Sequence, residues 1–347
     1  MKSGFSTKLL PPNHPEVNKG NIGVLLMNLG TPEATSYWPM RRYLKEFLSD
    51  RRVIEVNPIL WWVILNGIIL TFRPQKSGHA YGKIWNKDLN ESPLKTITRG
   101  QSEKLQESLK DRPEIIVDWA MRYGLPPVSK RIEALKEQGC DRILFVPLYP
   151  QYSAATTATA LDKCFEALGT MRWQPAIRSV PPYYDHPAYI DALAKSLKDH
   201  IKNLAWKPDL ILASFHGLPQ DYLTKGDPYY CHCMKTARLL REKMKLAPGQ
   251  LQVVFQSRFG RAEWLQPYAQ NTVEGLPAKG IRNLAMIMPG FSADCVETLE
   301  EVAIGLDETF KHAGGTNFSA VPCLNDSQHS ADMLEVLVRQ ELLGWIG

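Results

Sequence analysis

Three groups of residues combine types and spacings that could do chemistry. The first is His216, within D-L-I-L-A-S-F-H-G-L-P at residues 209–219. Imidazole ionises near neutral pH, so it can both take and release a proton. A lone histidine at the end of an apolar run is more often a structural hydrogen-bonder, and that reading stands beside the catalytic one. The second group is F-S-A-D-C-V-E-T-L-E-E at residues 291–301. Asp294 and Glu297 have the spacing of a helix capping box, which could explain both acids without any chemistry. Asp294, Glu297 and Glu301 also fall at i, i+3 and i+7, one face of one helix. Acids gathered in a dry cleft are costly unless they meet cations. The third group consists of Arg122-Tyr123-Gly124 and Tyr149-Pro150-Gln151-Tyr152, each closing an apolar run. Surface charge and core aromatics would account for these equally well.

Other chemistries are less supported. Cys231-His232-Cys233 has a soft-metal character, but no second cysteine pair has the spacing of a structural zinc site, so it is read as incidental on a helix. No G-x-G-x-x-G or Walker sequence is present, which argues against a nucleotide site.

The elements that must position these groups alternate between strand and helix. The run before His216 is short, branched and bounded by Pro208, Gly217 and Pro219, as expected of a strand buried on both faces. Similar runs occupy residues 23–29, 115–121, 141–148, 251–255, 283–288 and 319–322. Helical spacing marks residues 36–48, 97–109, 128–138, 156–168, 188–203, 228–244, 294–310 and 330–343. A loop is expected from 73 to 93, carrying Tyr81, Trp85 and Ser92. This alternation predicts an α/β fold of parallel, doubly wound sheets, in which ligands sit outside the carboxyl ends of the strands. A proline-rich break (Pro175, Pro181, Pro182, Pro187) predicts two Rossmann-like domains with the active-site cleft between them. The first would span 21–175, the second 176–325, and residues 1–20 would form a loose tail.

Composition bounds the partners. The 347 residues suffice for two ordinary domains or one large one, and an apolar share of 44% with 22% charged residues is that of a globular protein. A net charge of +5, with both signs dispersed, does not suggest nucleic acid. The six cysteines lack the dense spacing of a disulfide scaffold and no signal peptide is read at the N-terminus, so a cytoplasmic protein with reduced thiols is expected. Residues 58–72 (P-I-L-W-W-V-I-L-N-G-I-I-L-T-F) are as apolar as a transmembrane helix but too short to span. They read equally as a buried helix and as an exposed apolar lip over a large ligand, with a peripheral membrane contact through Trp61 and Trp62 as a further expectation.

The motifs S-F-H-G-L-P and F-S-A-D-C-V-E-T-L-E-E closely resemble those of ferrochelatases. The likeness continues through G-V-L-L-M-N-L-G-T-P-E, M-R-Y, Y-P-Q-Y-S, G-D-P-Y, Q-S-R-F-G and W-L-x-P-Y, in the family's order and over nearly the whole chain after residue 20. The resemblance implies two Rossmann-like domains and insertion of ferrous iron into protoporphyrin IX. By the same resemblance, His216 matches the family's histidine, Glu297 its glutamate and Asp294 an acid just before it. His216 is then the pyrrole proton acceptor and, with Glu297, a metal-binding residue, while Glu297 and Asp294 hold iron or relay protons, Glu301 extending that line. Tyr81, Ser92, Arg122, Tyr123, Trp264 and Phe291 would face the macrocycle or its propionates. Residues 326–347 would return to the first domain.

Two departures from the family pattern carry expectations. Ala154 follows Y-P-Q-Y-S where one type of ferrochelatase has a cysteine, and no cysteine cluster occurs in the last residues. No [2Fe–2S] cluster and no other resident cofactor are therefore expected, iron being a substrate. Cys295 replaces a histidine of some relatives, and Gly305 shortens the acidic line. The resemblance is compatible with a monomer or weak homodimer. A porphyrin or haem carrier without turnover, and a chelatase for another metal and tetrapyrrole, remain as competing functions.

Overall fold

The computed structural model describes residues 11–14, 20–260 and 262–346. Most of the expected N-terminal tail, residues 1–10 and 15–19, lies outside them. Among the described residues, eight strands form two four-stranded sheets of identical design. In the first, β1 (Asn21–Thr31) is flanked by β2 (Ile115–Gly124) and β3 (Cys140–Pro147), with β4 (Ala176–Ser179) outside β3. In the second, β5 (Leu210–His216) is flanked by β6 (Leu251–Gln256) and β7 (Asn283–Ile287), with β8 (Asn317–Ala320) outside β7. Every pairing is parallel.

Alternation within each strand decides which core a side chain enters. Leu25 and Met27 of β1 face α5 (Val128–Glu137) and α6 (Thr159–Gly169), where they meet Ile132, Leu135 and Cys164. Val24 and Leu26 face the other way, into a core shared with Ile211, Ala213 and Phe215 of β5. That shared core is completed by α4 (Pro93–Ser108), α7 (Pro187–Lys202), α9 (Tyr229–Lys243) and α12 (Gln328–Glu341). Leu212 and Met286 of the second sheet fill a separate outer core with Val273 and Phe310. The two sheets are thus joined through a common apolar centre.

The C-terminal helix α12 packs between α4 and α7 and is tied to the first sheet's side by two side chains. Arg339 pairs with Asp111 at 2.6 Å, and Arg178 of β4 donates to the Leu343 carbonyl at 2.9 Å. The first sheet also continues past the proline-rich break, because β4 pairs with β3 from Arg142 to Phe145. β4 is short and partly exposed, with Arg178 in its middle, and so lacks an apolar run, as does the outer strand β8.

The largest departure from expectation is α3 (Leu70–Ile84), a helix where a loop was read from Arg73 onward. Pro74 has no N–H to offer the carbonyl four residues back, that of Leu70. The Tyr37 hydroxyl donates to that carbonyl at 3.0 Å instead, so the helix continues. Gly78 is equally specific: a Cβ there would lie 2.2 Å from the Thr35 carbonyl oxygen. Before α3 come α2 (Pro58–Ile64), after α1 (Tyr37–Leu48), and a π-helical turn at Leu65–Ile69. Two further π-helical stretches follow, Ala154–Ala158 before α6 and Glu297–Leu306 before α11 (Asp307–His312). The short helices α8 (Gln220–Thr224) and α10 (Ala269–Gly275) complete the set.

Candidate active site

In the second sheet the strand order reverses beside β5, the switch point outside whose strand ends α/β sheets place their ligands. His216 is the last residue of β5 and Glu297 follows the loop after β7. The His216 Nδ1 lies 2.6 Å from the Gly217 carbonyl oxygen, which can only accept. Nδ1 must therefore carry the hydrogen, and Nε2 holds the lone pair when the ring is neutral. A Cβ on Gly217 would stand 2.8 Å from the Gln256 carbonyl oxygen and 3.1 Å from the Trp264 ring, so only glycine permits this turn. Trp264 itself stands 6.5 Å from the His216 ring, centre to centre.

Gln256 joins the two candidate groups. It sits opposite His216 in the β5–β6 register and its carbonyl accepts from Gly217 N at 2.8 Å. Its amide Nε2 donates to the Glu297 carbonyl at 2.8 Å, while its Oε1 accepts from the Ser214 hydroxyl at 2.7 Å. Glu301 accepts from the Ser257 hydroxyl. Burial first, then the charge of Glu297, pushes the Glu301 carboxyl up to about 7, against the pull of Ser257. π-Helical turns recur at functional sites, and this one carries both glutamates.

The opposite wall comes from α1 and α3. Tyr43 and Tyr81 are buried edge to face at 6.4 Å. Burial, with Glu297 contributing, raises both phenols well above their usual range. Burial lowers the Arg73 guanidinium, opposed by Glu301, Tyr43 and Glu297. Arg73 also lies 5.0 Å over the Phe259 ring. Lys83 bridges from α3 to Glu300 at 2.8 Å. The sequence matches the Ferrochelatase family over residues 21–342.

The chain belongs to the ferrochelatase family. It is 58% identical over 337 residues to the Ferrochelatase of Agrobacterium fabrum, covering 97% of this chain and 98% of that one. Against the Ferrochelatase of Rhizobium meliloti, identity is 59% over 333 residues, covering 96% and 98%. Among solved structures, SirB from Bacillus subtilis with Fe3+ aligns at a TM-score of 0.54 and 12% identity, over 92% of this chain and 95% of that one. At that identity the likeness is one of fold. As a family member the protein is a metal chelatase, a lyase of haem biosynthesis that forms protohaem.

Of the residues that the ferrochelatase resemblance assigned to the site, Tyr81 and Tyr123 share one buried cluster with Tyr43. Arg122 and Tyr123 are buried around Asp50: the Arg122 guanidinium pairs with that carboxylate and donates to Thr159 Oγ1 at 2.6 Å, and Tyr123 Oη donates to Asp50 at 2.8 Å. Burial alone would raise the Asp50 carboxyl, but Thr159, the Arg52 N–H, Tyr123 and Arg122 together hold it below its usual range. Ser92 is the N-cap of α4, accepting from Lys95 N at 3.4 Å. Phe291 packs between the shared core and the outer core of the second sheet.

Asp294 precedes the helix, which starts at Val296, and the expected capping box does not form. Its carboxylate accepts from Thr298 Oγ1 at 2.8 Å and Asn325 Nδ2 at 2.7 Å. The Thr298 hydroxyl instead accepts from Cys295 N at 3.0 Å, doing the work expected of a Glu297 cap. Among the described residues, no three His, Cys, Asp or Glu side chains converge as a ready metal site.

Residues 58–72 are not a buried helix. Ile59, Trp62 and Phe72 are 79%, 67% and 72% exposed, and only Leu65 and Leu70 are buried within the stretch. Trp61 is anchored, its Nε1 donating to the Leu48 carbonyl at 2.7 Å. Among the described residues, no helix is long and apolar enough to cross a membrane. Sequence reasoning missed Tyr43, Arg73 and Gln256. Gln256 ends an apolar strand run and was the one open to detection. Arg73 was hidden by the proline that follows it.

Proposed function

We propose that iron enters protoporphyrin IX in the crevice between His216 and the glutamates of the π-helical stretch. The porphyrin gives up two pyrrole protons as Fe2+ takes their place, so the site needs a base on the ring and a way out for protons. His216 is that base: Nε2 keeps its lone pair because Nδ1 is committed to the Gly217 carbonyl. Glu297 serves as iron ligand or first proton relay, since carboxylate and imidazole both suit ferrous iron. Glu301, with a carboxyl near 7, passes protons onward at neutral pH. Trp264, Tyr81 and Arg73 supply aromatic and cationic surface around the macrocycle.

The single observation that carries this reading is the link through Gln256, which holds the His216 turn and the Glu297 backbone with one side chain. The exposed side chains of the 58–72 lip support two further roles, covering the macrocycle and touching a membrane surface. Iron is a substrate in this scheme. The reading that no [2Fe–2S] cluster is held rests on Ala154 and on the cysteine distribution. Anaerobic incubation with protoporphyrin IX and Fe(II) is expected to give protohaem. Tight porphyrin binding without metal insertion from about pH 6 to 9 would instead make the protein a carrier.

A further inference from the structure

Asp294 lies three residues before Glu297, and the structure holds it away from solvent. Its residue is 6% exposed, and each carboxyl oxygen already accepts a hydrogen bond. We infer that Asp294, Asn325 and Gln101 form a positioning network that fixes where Glu297 stands, and that Asp294 acts through the backbone instead of on iron or protons. This rests on the reading of Glu297 as a group that touches the reaction.

The connections run from one side of the molecule to the other. Asp294 and Asn325 are joined twice: Asn325 Nδ2 donates to the carboxyl at 2.7 Å, and Asp294 N donates to Asn325 Oδ1 at 2.8 Å. Asn325 occupies the left-handed region at φ 51°, which asparagine tolerates better than most residues. Gln101, on α4, reaches across with Nε2 to the Ser292 carbonyl at 3.0 Å and the Asn325 carbonyl at 2.9 Å. Asn325 N donates to the Ser292 carbonyl at 3.0 Å, and Ser292 Oγ to the Leu148 carbonyl at 2.9 Å, at the end of β3. Asp294 closes the chain by accepting from Thr298, the residue after Glu297. The loops after β7 and β8 are therefore braced together and held from the first sheet. Both carboxyl oxygens are tied into this brace, Oδ1 to Thr298 and Oδ2 to Asn325.

A reciprocal exchange separates the two roles. Asp294→Asn sets two amide nitrogens against each other, and Asn325→Asp sets two carboxyls against each other. Combined, Asn at 294 still accepts from Thr298 and donates to the new carboxyl at 325, which still accepts from the backbone N–H of 294. Each single variant is expected to lower kcat about 10- to 100-fold, the order set by small misplacement of a reacting group. The double variant is expected to recover to within about threefold of wild type, with the KM for porphyrin unchanged in all three. A double variant as slow as Asp294→Asn would show that the carboxyl at 294 itself takes part, and would overturn the proposal. If the exchange does not fold, Gln101→Met leaves Asp294 and Asn325 in place and removes the hold from α4. It should lower kcat without moving the porphyrin KM, and an unchanged kcat would overturn the proposal. Glu297→Gln in the same assay keeps the two readings apart, because normal turnover there would refute the role of Glu297 itself.

Discussion

Glu301 offers a test that needs no substrate. Burial and the neighbouring charge of Glu297 move its carboxyl from the usual 4.5 to about 7. Between those values the folded chain keeps a proton that the unfolded chain has released. The associated stability is fully present below about pH 4.5 and is lost as pH rises through about 7. At 1.36 kcal/mol per pH unit, the ionised acid costs the folded state about 3 kcal/mol once pH exceeds 7. Glu301→Gln keeps the shape and can still accept from Ser257, but it never ionises. The variant should therefore gain about 1 kcal/mol at pH 5 and about 3 kcal/mol at pH 8.5 relative to wild type. Urea unfolding at the two pH values measures both differences, and slower turnover should accompany the gain. A stability difference that does not change with pH would refute the assignment of the buried, repelled carboxyl to Glu301.

Two further outcomes follow from exposure. Trp62→Ser should raise the porphyrin KM about 5- to 30-fold, for roughly 1–2 kcal/mol of lost apolar contact, with little change in Tm or in the KM for iron. A large fall in Tm would return residues 58–72 to the core. Of the six thiols, Cys231 is exposed and the other five are buried, so a thiol reagent should label one cysteine before unfolding. Rapid reaction of a second would contradict the burial of Cys233.

Most of the strands were legible because they carry an apolar run, and the placing of His216 followed from the end of one of them. The acids of residues 291–301 were legible as a group, but the start of their helix was not. Helical spacing puts Asp294 on the face of Glu297, whereas the helix starts only at Val296 and the distant Asn325 holds Asp294. The α3 helix was unreadable for a related reason. Pro74 and Gly78 are loop signals locally, and only the Tyr37 hydroxyl and the Thr35 carbonyl, supplied by the fold, make them helical. Asp50, some seventy residues away in sequence, engages both Arg122 and Tyr123, a contact that no local pattern announces. β4 escaped notice because a short, partly exposed outer strand needs no apolar run.

The most direct test of the central claim is the turnover of His216→Ala, measured anaerobically as protohaem formed from protoporphyrin IX and Fe(II), with porphyrin affinity followed separately by fluorescence. Loss of the general base should lower kcat by about 10²–10⁴ while the porphyrin Kd stays within a few-fold of wild type. Turnover close to wild type in the folded variant would contradict the assignment of His216 as the acceptor of the pyrrole protons.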